Sequence, residues 1–148
     1  MILQILIGTL LMLISIVIAG FSYWAMEIAL NRARRWLTRE PHRPKLMLAL
    51  CVAAVWILAQ ITAGVWTWAL AFWFLEVFAT LEASVYFSLV AFTTLGFGDI
   101  LLPNDWRLLS GMAAANGLLN FGLLTAILVE TLRQIRLGQI DALRRLSD

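Results

Sequence analysis

The sequence predicts an all-α membrane protein, on the strength of its composition, the length of its apolar runs and the placement of its charges. Hydrophobic residues make up 62% of the 148 residues and charged residues only 14%, with a mean hydropathy of +0.88. A small soluble domain needs a more polar surface than this composition provides. Three apolar runs, at residues 2–25, 46–70 and 108–132, each exceed the roughly 20 residues that a helix needs to cross a bilayer. Charged residues are concentrated outside these runs.

The first element is an N-terminal transmembrane helix over residues 1–31. No positive side chain precedes its apolar core, as one would in a secretory signal peptide, so we expect this helix to stay in the protein. It is followed by a basic linker at 32–45. Because basic loops stay on the cytoplasmic side, this linker predicts a cytoplasmic location for itself and an extracytoplasmic N-terminus. The basic residues of the linker are Arg32, Arg34, Arg35, Arg39, Arg43 and Lys45.

The second span then runs outward and the third returns to the cytoplasm. Four arginines follow the third span in a short tail at 133–148, which we therefore expect to be cytoplasmic. Of the eleven Lys and Arg residues, only Arg107 lies between the second and third spans, where it shares the segment with acidic residues. This segment suits the outer face.

A fourth apolar piece, residues 81–92, is too short to cross. Its about 12 residues make a helix of about 18 Å, against about 30 Å of hydrocarbon. We expect it to enter the membrane from the outer side and turn back as a re-entrant helix, directly before the stretch TTLGFGDI at 93–100.

That stretch interrupts the apolar sequence with two glycines. A non-helical backbone at membrane depth is tolerated only where protein buries it or where it lines a wet cavity. Gly96 and Gly98 alternate with Leu95 and Phe97, and glycine adopts φ > 0 without steric cost. Successive carbonyls can then point the same way and bind a dehydrated cation, provided that rotational copies of the chain complete the ring. The negative end of the preceding helix dipole favours a cation there.

TTLGFGD resembles the selectivity-filter signature of potassium channels, usually T-V-G-Y-G-D, and EASVYFSLVAF before it resembles the pore helix of that family. GLLNFGLLTAIL, residues 117–128, is similar to the inner helix of simple bacterial potassium channels. The resemblance covers residues 46–132, as an outer helix, a pore helix at 81–92, a filter at 93–99 and an inner helix at 105–132. It implies a homotetramer, so that each chain assembles with three identical subunits and contributes three transmembrane helices and one re-entrant pore helix.

The family implies passive potassium conduction in a plasma membrane, here a bacterial inner membrane, with K⁺ as the permeant ligand and no cofactor. The K⁺-binding groups would be the backbone carbonyls and one hydroxyl of the filter, in Thr94, Leu95, Gly96 and Phe97, followed by Gly98. Further residues are expected to support the filter and the outer mouth, namely Thr93, Asp99, Tyr86 and Phe87. Tyr86 and Phe87 stand where simple bacterial channels often have tryptophans, and Phe97 lacks the tyrosine hydroxyl that can tie the filter to the pore helix. A weakly selective monovalent cation channel is therefore the alternative within transport.

The third span offers a candidate gate. Gly117 stands where the family has a bending point, and close helix packing is an equally open interpretation. Gly117, Phe121, Thr125 and Val129 recur every four residues and share one face. If this face lines the pore, Phe121 and Val129 form an apolar constriction; otherwise it is an ordinary helix contact. Asn116 and Asn120 are predicted to line the cavity or to bond between subunits.

The sequence contains no nucleophile with a base, no phosphate loop and no metal cluster, so we do not expect an enzyme, and nothing indicates nucleic-acid binding. The basic linker at 32–45 is a candidate contact for anionic membrane lipid. A non-conducting, channel-like regulatory subunit is the alternative function from another class.

Overall fold

The computed structural model describes residues 1–37 and 42–147, which form four α-helices and no strand within those ranges. The helices are α1 Ile2–Leu37, α2 His42–Phe74, α3 Leu81–Phe92 and α4 Arg107–Ser147, with a 3₁₀ turn at Asn104–Trp106 before α4. Three of them are long and apolar enough to cross a membrane, over Ile2–Ala33, Pro44–Phe74 and Asn104–Ile140. The predicted all-α membrane fold is confirmed.

The helices extend beyond the predicted spans at the ends that are predicted to be cytoplasmic. α1 continues to Leu37 and α2 begins at His42, so the predicted linker at 32–45 is partly helical; residues 38–41 of that linker lie outside the described residues. α4 does not end at residue 132 but runs on through the predicted tail to Ser147. With 41 residues it is about 60 Å long, about twice the thickness of the hydrocarbon.

The long helices run in alternating directions. Gln4, near the start of α1, forms a hydrogen bond with Leu108, near the start of α4. Farther along both helices, Ser15 forms one with Asn120, so α1 and α4 are parallel. Ser22 of α1 instead contacts Trp56 of α2, and Trp36 contacts Lys45, so α1 and α2 are antiparallel. A chain that crosses the membrane three times must alternate in this way. Which end faces the cytoplasm stays a prediction.

α3 begins and ends through local hydrogen bonds. Thr80, in extended backbone, accepts a hydrogen bond at its side chain from the Ala83 N–H at 3.1 Å, which satisfies one free donor of the first turn. Thr93 ends the helix and its hydroxyl donates to the Leu89 carbonyl at 2.7 Å. The short helix therefore spans Leu81–Phe92, and its role as a re-entrant pore helix stays a prediction.

α3 lies between α2 and α4 and carries the aromatic part of the core. Phe87 packs edge-on against Phe72 of α2, with ring centroids 5.4 Å apart, a favoured aromatic geometry. Trp68 and Phe72 of α2 and Phe92 of α3 are fully buried. The short helix is thus held by side chains along its whole length, which positions the segment that follows it.

Phe92, the last residue of α3, is wedged between two glycines. A side chain at Gly64 of α2 would place its Cβ 2.5 Å from the Phe92 ring. A side chain at Gly117 of α4 would place its Cβ 1.7 Å from the backbone oxygen of Phe92. α2 and α4 therefore approach the end of α3 so closely that a side chain at position 64 or 117 would clash with Phe92.

We predict that Gly117→Ala destabilises the protein, although helix propensity alone would favour alanine by about 1 kcal/mol. The added methyl group cannot coexist with the Phe92 carbonyl, so the end of α3 must shift. Thermal unfolding of the detergent-solubilised protein measures the effect as a lower midpoint.

Gly122→Ala is the matched control, because no heavy atom of the described part of the chain lies within 4 Å of a Cβ at that position. It should unfold at the native temperature or above. Equal midpoints for the two variants would mean that the Phe92 contact does not constrain α4.

Candidate functional site

The backbone after α3 alternates in conformation. Thr94, Gly96 and Gly98 have φ of +59°, +58° and +76°, whereas Leu95 and Phe97 between them are not in the positive-φ region. This alternation turns successive peptide planes so that their carbonyls can face one side. Positive φ at both glycines was predicted and is confirmed. The same conformation at Thr94 was not predicted, since nothing in a threonine side chain favours it.

The N–H groups of residues 93–96 form hydrogen bonds with the C-terminal end of α3. Each donates to one of the last free carbonyls of the helix, in the pairs Thr93 to Leu89 at 3.0 Å, Thr94 to Ala91 at 2.9 Å, Leu95 to Val90 at 3.0 Å and Gly96 to Val90 at 3.3 Å. The carbonyls of residues 94–97 accept no hydrogen bond from the described residues. The result is a row of oxygens without protein donors.

The surroundings of this row favour a cation. No Lys or Arg occurs between Lys45 and Arg107, and the negative end of the α3 dipole lies beside the segment. No group of three or more His, Cys, Asp or Glu side chains that could hold a metal ion occurs in the described parts of the chain. A cation at this place would therefore be bound by backbone oxygens.

Asp99 closes the segment and is tied back to α3. The Tyr86 hydroxyl donates to the Asp99 carboxylate at 2.5 Å. This hydrogen bond holds the pKa of Asp99 below its ordinary value, because it stabilises the ionised form. Phe97 has no hydroxyl that could link this segment to α3, but the Tyr86 hydroxyl makes such a link through Asp99. The sequence analysis identified Tyr86 and Asp99 as support residues but did not predict the hydrogen bond between them.

The other two predicted support residues act away from the outer mouth. Phe87 is 6% exposed and belongs to the aromatic core, with its ring 5.2 Å from that of Phe78. The Thr93 hydroxyl donates back into α3. Phe87 and Thr93 therefore shape the helix that carries the segment.

The predicted face of α4 divides into two parts. Gly117 and Phe121 lie against Phe92, with the two phenylalanine ring centroids 6.3 Å apart. Thr125 and Val129 are exposed in the single chain, and the Thr125 hydroxyl donates to the Phe121 carbonyl within its own helix. The part at Gly117 and Phe121 contacts the end of α3, and the part at Thr125 and Val129 is exposed in the single chain.

Asn116 and Asn120 meet a partner that the sequence did not suggest. Both are buried, and the Asn120 amide donates to the Ser15 hydroxyl of α1 at 3.3 Å and to the Asn116 side-chain oxygen at 3.0 Å. Neither of the predicted roles included this contact, because sequence spacing does not say which helix packs against which.

These features define the class of protein: an all-α membrane protein whose short third helix is followed by a row of unpaired backbone carbonyls. A family model described as "Ion channel" matches residues 46–134, which extend from the start of the second span into α4. The match covers more than half of the chain, and the protein belongs to this ion channel family. No curated protein and no solved structure matches it.

Membership accounts for several features at once. Proteins of this family are channels rather than enzymes, and ion permeation requires no cofactor. α1 lies outside the matched residues, although it packs on both α2 and α4.

We predict that Tyr86→Phe makes ion flux more sensitive to acid. Losing the hydroxyl lets the pKa of Asp99 return toward its ordinary value. A carboxylate with a lowered pKa stabilises the folded form at neutral pH, and this contribution disappears as the pH falls through that pKa. Asp99 therefore stays ionised, and hydrogen-bonded to Tyr86, down to a lower pH in the native protein than it stays ionised in the variant. Liposome flux measured across acidic pH should lose half its value at a higher pH in Tyr86→Phe.

Tyr23→Phe, on α1, is the control, since it removes the only other tyrosine hydroxyl and leaves Asp99 untouched. Coincident acid midpoints for native protein and Tyr86→Phe would show that the bond does not support the conducting form.

Proposed function

We propose that the protein is a potassium-selective channel that conducts K⁺ passively through a central pore formed by four identical chains. The observation that carries the proposal is the segment after α3, where N–H groups are paired to the helix and carbonyls are left without donors. Its sequence, TTLGFGD, resembles a potassium-channel filter, with Leu95 and Phe97 where valine and tyrosine are commonest.

In this proposal the carbonyls of residues 94–97 replace the water around K⁺, together with the Thr94 hydroxyl. Positive φ at Thr94 and Gly96 supports this role because it allows adjacent carbonyls to face one axis. Asp99, tied to Tyr86, would hold the outer end of the filter and raise the local cation concentration.

Exposed side chains support an assembly of several chains. Leu95 is 57% and Phe97 66% exposed in the single chain, although both are apolar and lie beside the proposed ion path. Neighbouring subunits would bury them, and four carbonyl rows would surround an ion that one row cannot enclose.

The lower face of α4 is the proposed inner pore. Thr125 and Val129 would line it, with Phe121 above them, and the pore would close by dewetting at the apolar side chains. Bending near Gly117 would open it; the contact with Phe92 adds a packing role to that glycine.

The charge distribution supports a plasma-membrane orientation with an extracytoplasmic N-terminus and a cytoplasmic C-terminus. Basic residues of the 32–45 linker would then face anionic lipid headgroups, each contributing about 1 kcal/mol near the surface. Part of that linker lies outside the described residues.

Purified protein in liposomes separates the candidate functions. Potassium flux well ahead of sodium flux, blocked by barium, is the expected result. Equal potassium and sodium flux would instead support a weakly selective cation channel, and absence of flux under all conditions would support a regulatory subunit.

We predict that Gly96→Ala abolishes potassium flux even when the protein assembles. Gly96 has φ +58° with no heavy atom of the described chain near its Cβ position, so the effect comes from backbone strain and not from a clash. Such strain costs about 1–3 kcal/mol per site, and all four subunits would share it. Potassium flux into liposomes is the measurement.

Gly111→Ala is the matched control, because Gly111 is helical and equally open. It should conduct as the native protein does. Selective conduction by Gly96→Ala would mean that residues 94–98 are not the filter.

A further inference from the structure

α1 lies outside the residues that match the channel family, yet it packs against α4 in a defined register. At its start, the Gln4 side chain accepts a hydrogen bond from the Leu108 N–H at 3.1 Å and donates to the Asp105 carbonyl. One turn later, a Cβ at Gly8 would lie 2.3 Å from the Met112 sulfur. Near the middle, the Ser15 hydroxyl accepts from the Asn120 amide. Three successive contacts thus hold the two helices in one alignment.

Buried residues extend this alignment along both helices. On α1 they recur at steps of four and three residues, at Gln4, Gly8, Leu11, Ser15 and Ala19. On α4 they recur at the same steps, at Leu109, Ala113, Asn116, Asn120 and Leu124. Every member of the second set lies 105 residues after a member of the first, which is the separation of the Ser15 and Asn120 hydrogen-bond partners.

The pattern continues toward the cytoplasmic end. The same offset pairs Met26 with Thr131 and Leu30 with Ile135 in sequence; the two α4 residues are buried and the two α1 residues half-buried. The four steps from residue 4 to residue 19 average 3.75 residues, close to the roughly 3.6 residues per turn of an α-helix, so the contact stays near one face of each helix. We call this contact the α1–α4 seam.

The seam passes a weak point of α4. Gly122 lies between Asn120 and Leu124, and glycine within a helix is the residue that most easily permits bending. No heavy atom of the described residues lies within 4 Å of its Cβ position, unlike at Gly117, where Phe92 intervenes. α4 is nevertheless helical without a break from Arg107 to Ser147. α1 bonds to it above Gly122, between Ser15 and Asn120, and the next buried residues at the same offset, Ala19 and Leu124, continue the pattern below Gly122.

α1 is itself fixed to the outer helix. The Ser22 hydroxyl accepts hydrogen bonds from the Trp56 indole at 2.7 Å and from the Gln60 amide, and the Lys45 ammonium donates to the Trp36 carbonyl at 2.7 Å. α4 can therefore bend away from this position only by breaking the seam or by moving α1 against α2.

The polar centre of the seam is suited to reversible opening. The Asn120 amide has acceptors in both Ser15 and Asn116, but the buried Asn116 amide nitrogen has no hydrogen-bond partner in the described part of the protein. A buried donor left unpaired is unusual and costly, so the seam is less stable here than a fully paired contact would be. Interhelical hydrogen bonds within membranes are weak enough to exchange.

We propose that α1 is an intramolecular splint that holds α4 straight across Gly122 and thereby restricts opening of the inner pore. The proposal rests on the proposed channel function, in which the lower face of α4 lines the pore. Loss of the Ser15 hydroxyl weakens the splint, and a covalent link between α1 and α4 strengthens it.

Two variants test the splint in potassium-loaded liposomes. Ser15→Ala should raise the initial potassium flux by roughly threefold, a factor typical of one interhelical hydrogen bond in a membrane. It should leave the ratio of potassium to sodium flux unchanged. Thr9→Val is the matched control, since it removes an exposed α1 hydroxyl outside the seam.

The second variant combines Gly8→Cys and Met112→Cys in a Cys51→Ser background. Met112→Cys removes the two nearest atoms that a side chain at Gly8 would meet, at 2.3 and 2.6 Å, and leaves only Leu109 Cδ2 at 3.2 Å. Oxidation should lower the flux below that of the reduced protein, and reductant should restore it. Met112→Cys alone in the same background, treated in the same way, is its control, because it leaves Gly8 and its close contact unchanged.

Spin labels at Arg136→Cys provide a readout that does not depend on conduction. Arg136 is exposed near the cytoplasmic end of α4, so distances between labels on different chains should increase in Ser15→Ala and shorten after crosslinking at residues 8 and 112. Either variant that assembles but matches its control in flux and in label distance overturns the splint. Equal sodium and potassium flux in all variants would overturn the proposed selectivity alone. In a protein without flux, the label distances decide on the splint.

Discussion

The hydrogen bonds from the N–H groups of residues 93–96 to the last carbonyls of α3 are the constraint on which the rest of the site depends. A backbone without regular secondary structure is costly at membrane depth, because neither water nor lipid replaces its missing partners. Here the donors of the segment are matched to the helix, which would otherwise end with free acceptors. The acceptors of the segment have no such match, and a cation that passes through a ring of them would supply it.

This exchange requires α3 to end at a fixed place. Phe92 is held in place because Gly64 and Gly117 bring two long helices into contact with its ring and its carbonyl. The far end of the segment is held by the bond between Tyr86 and Asp99. Both anchors therefore belong to α3, so the geometry of the segment depends on one helix and on the helices that grip it.

α1 packs against the part of the chain that matches the ion channel family, residues 46–134, and contacts it through polar side chains. Its polar residues lie where an apolar span would be expected to have none, and they contact polar residues of α4 instead of solvent. A span that served only as an anchor would need no such residues. Glycine at position 8 and alanine at position 19 keep the two helices close, as small residues do in membrane helix packing. The seam therefore explains side chains that the channel function alone leaves unexplained.

The sequence by itself determined the number of spans, the short re-entrant helix and the place where its backbone changes character. These follow from local physics: hydrocarbon thickness limits helix length, and glycine at 96 and 98 permits positive φ. It also identified Tyr86, Asp99, Gly117 and the two asparagines as residues of interest. Only the tertiary structure decided their partners. Tyr86 bonds Asp99, Gly117 meets the backbone of Phe92, and Asn120 reaches Ser15, which is distant in the chain. Apolar helices in a membrane present similar surfaces on every side, so periodicity does not reveal which faces meet; close packing at small residues and the pairing of the few buried polar groups select one arrangement.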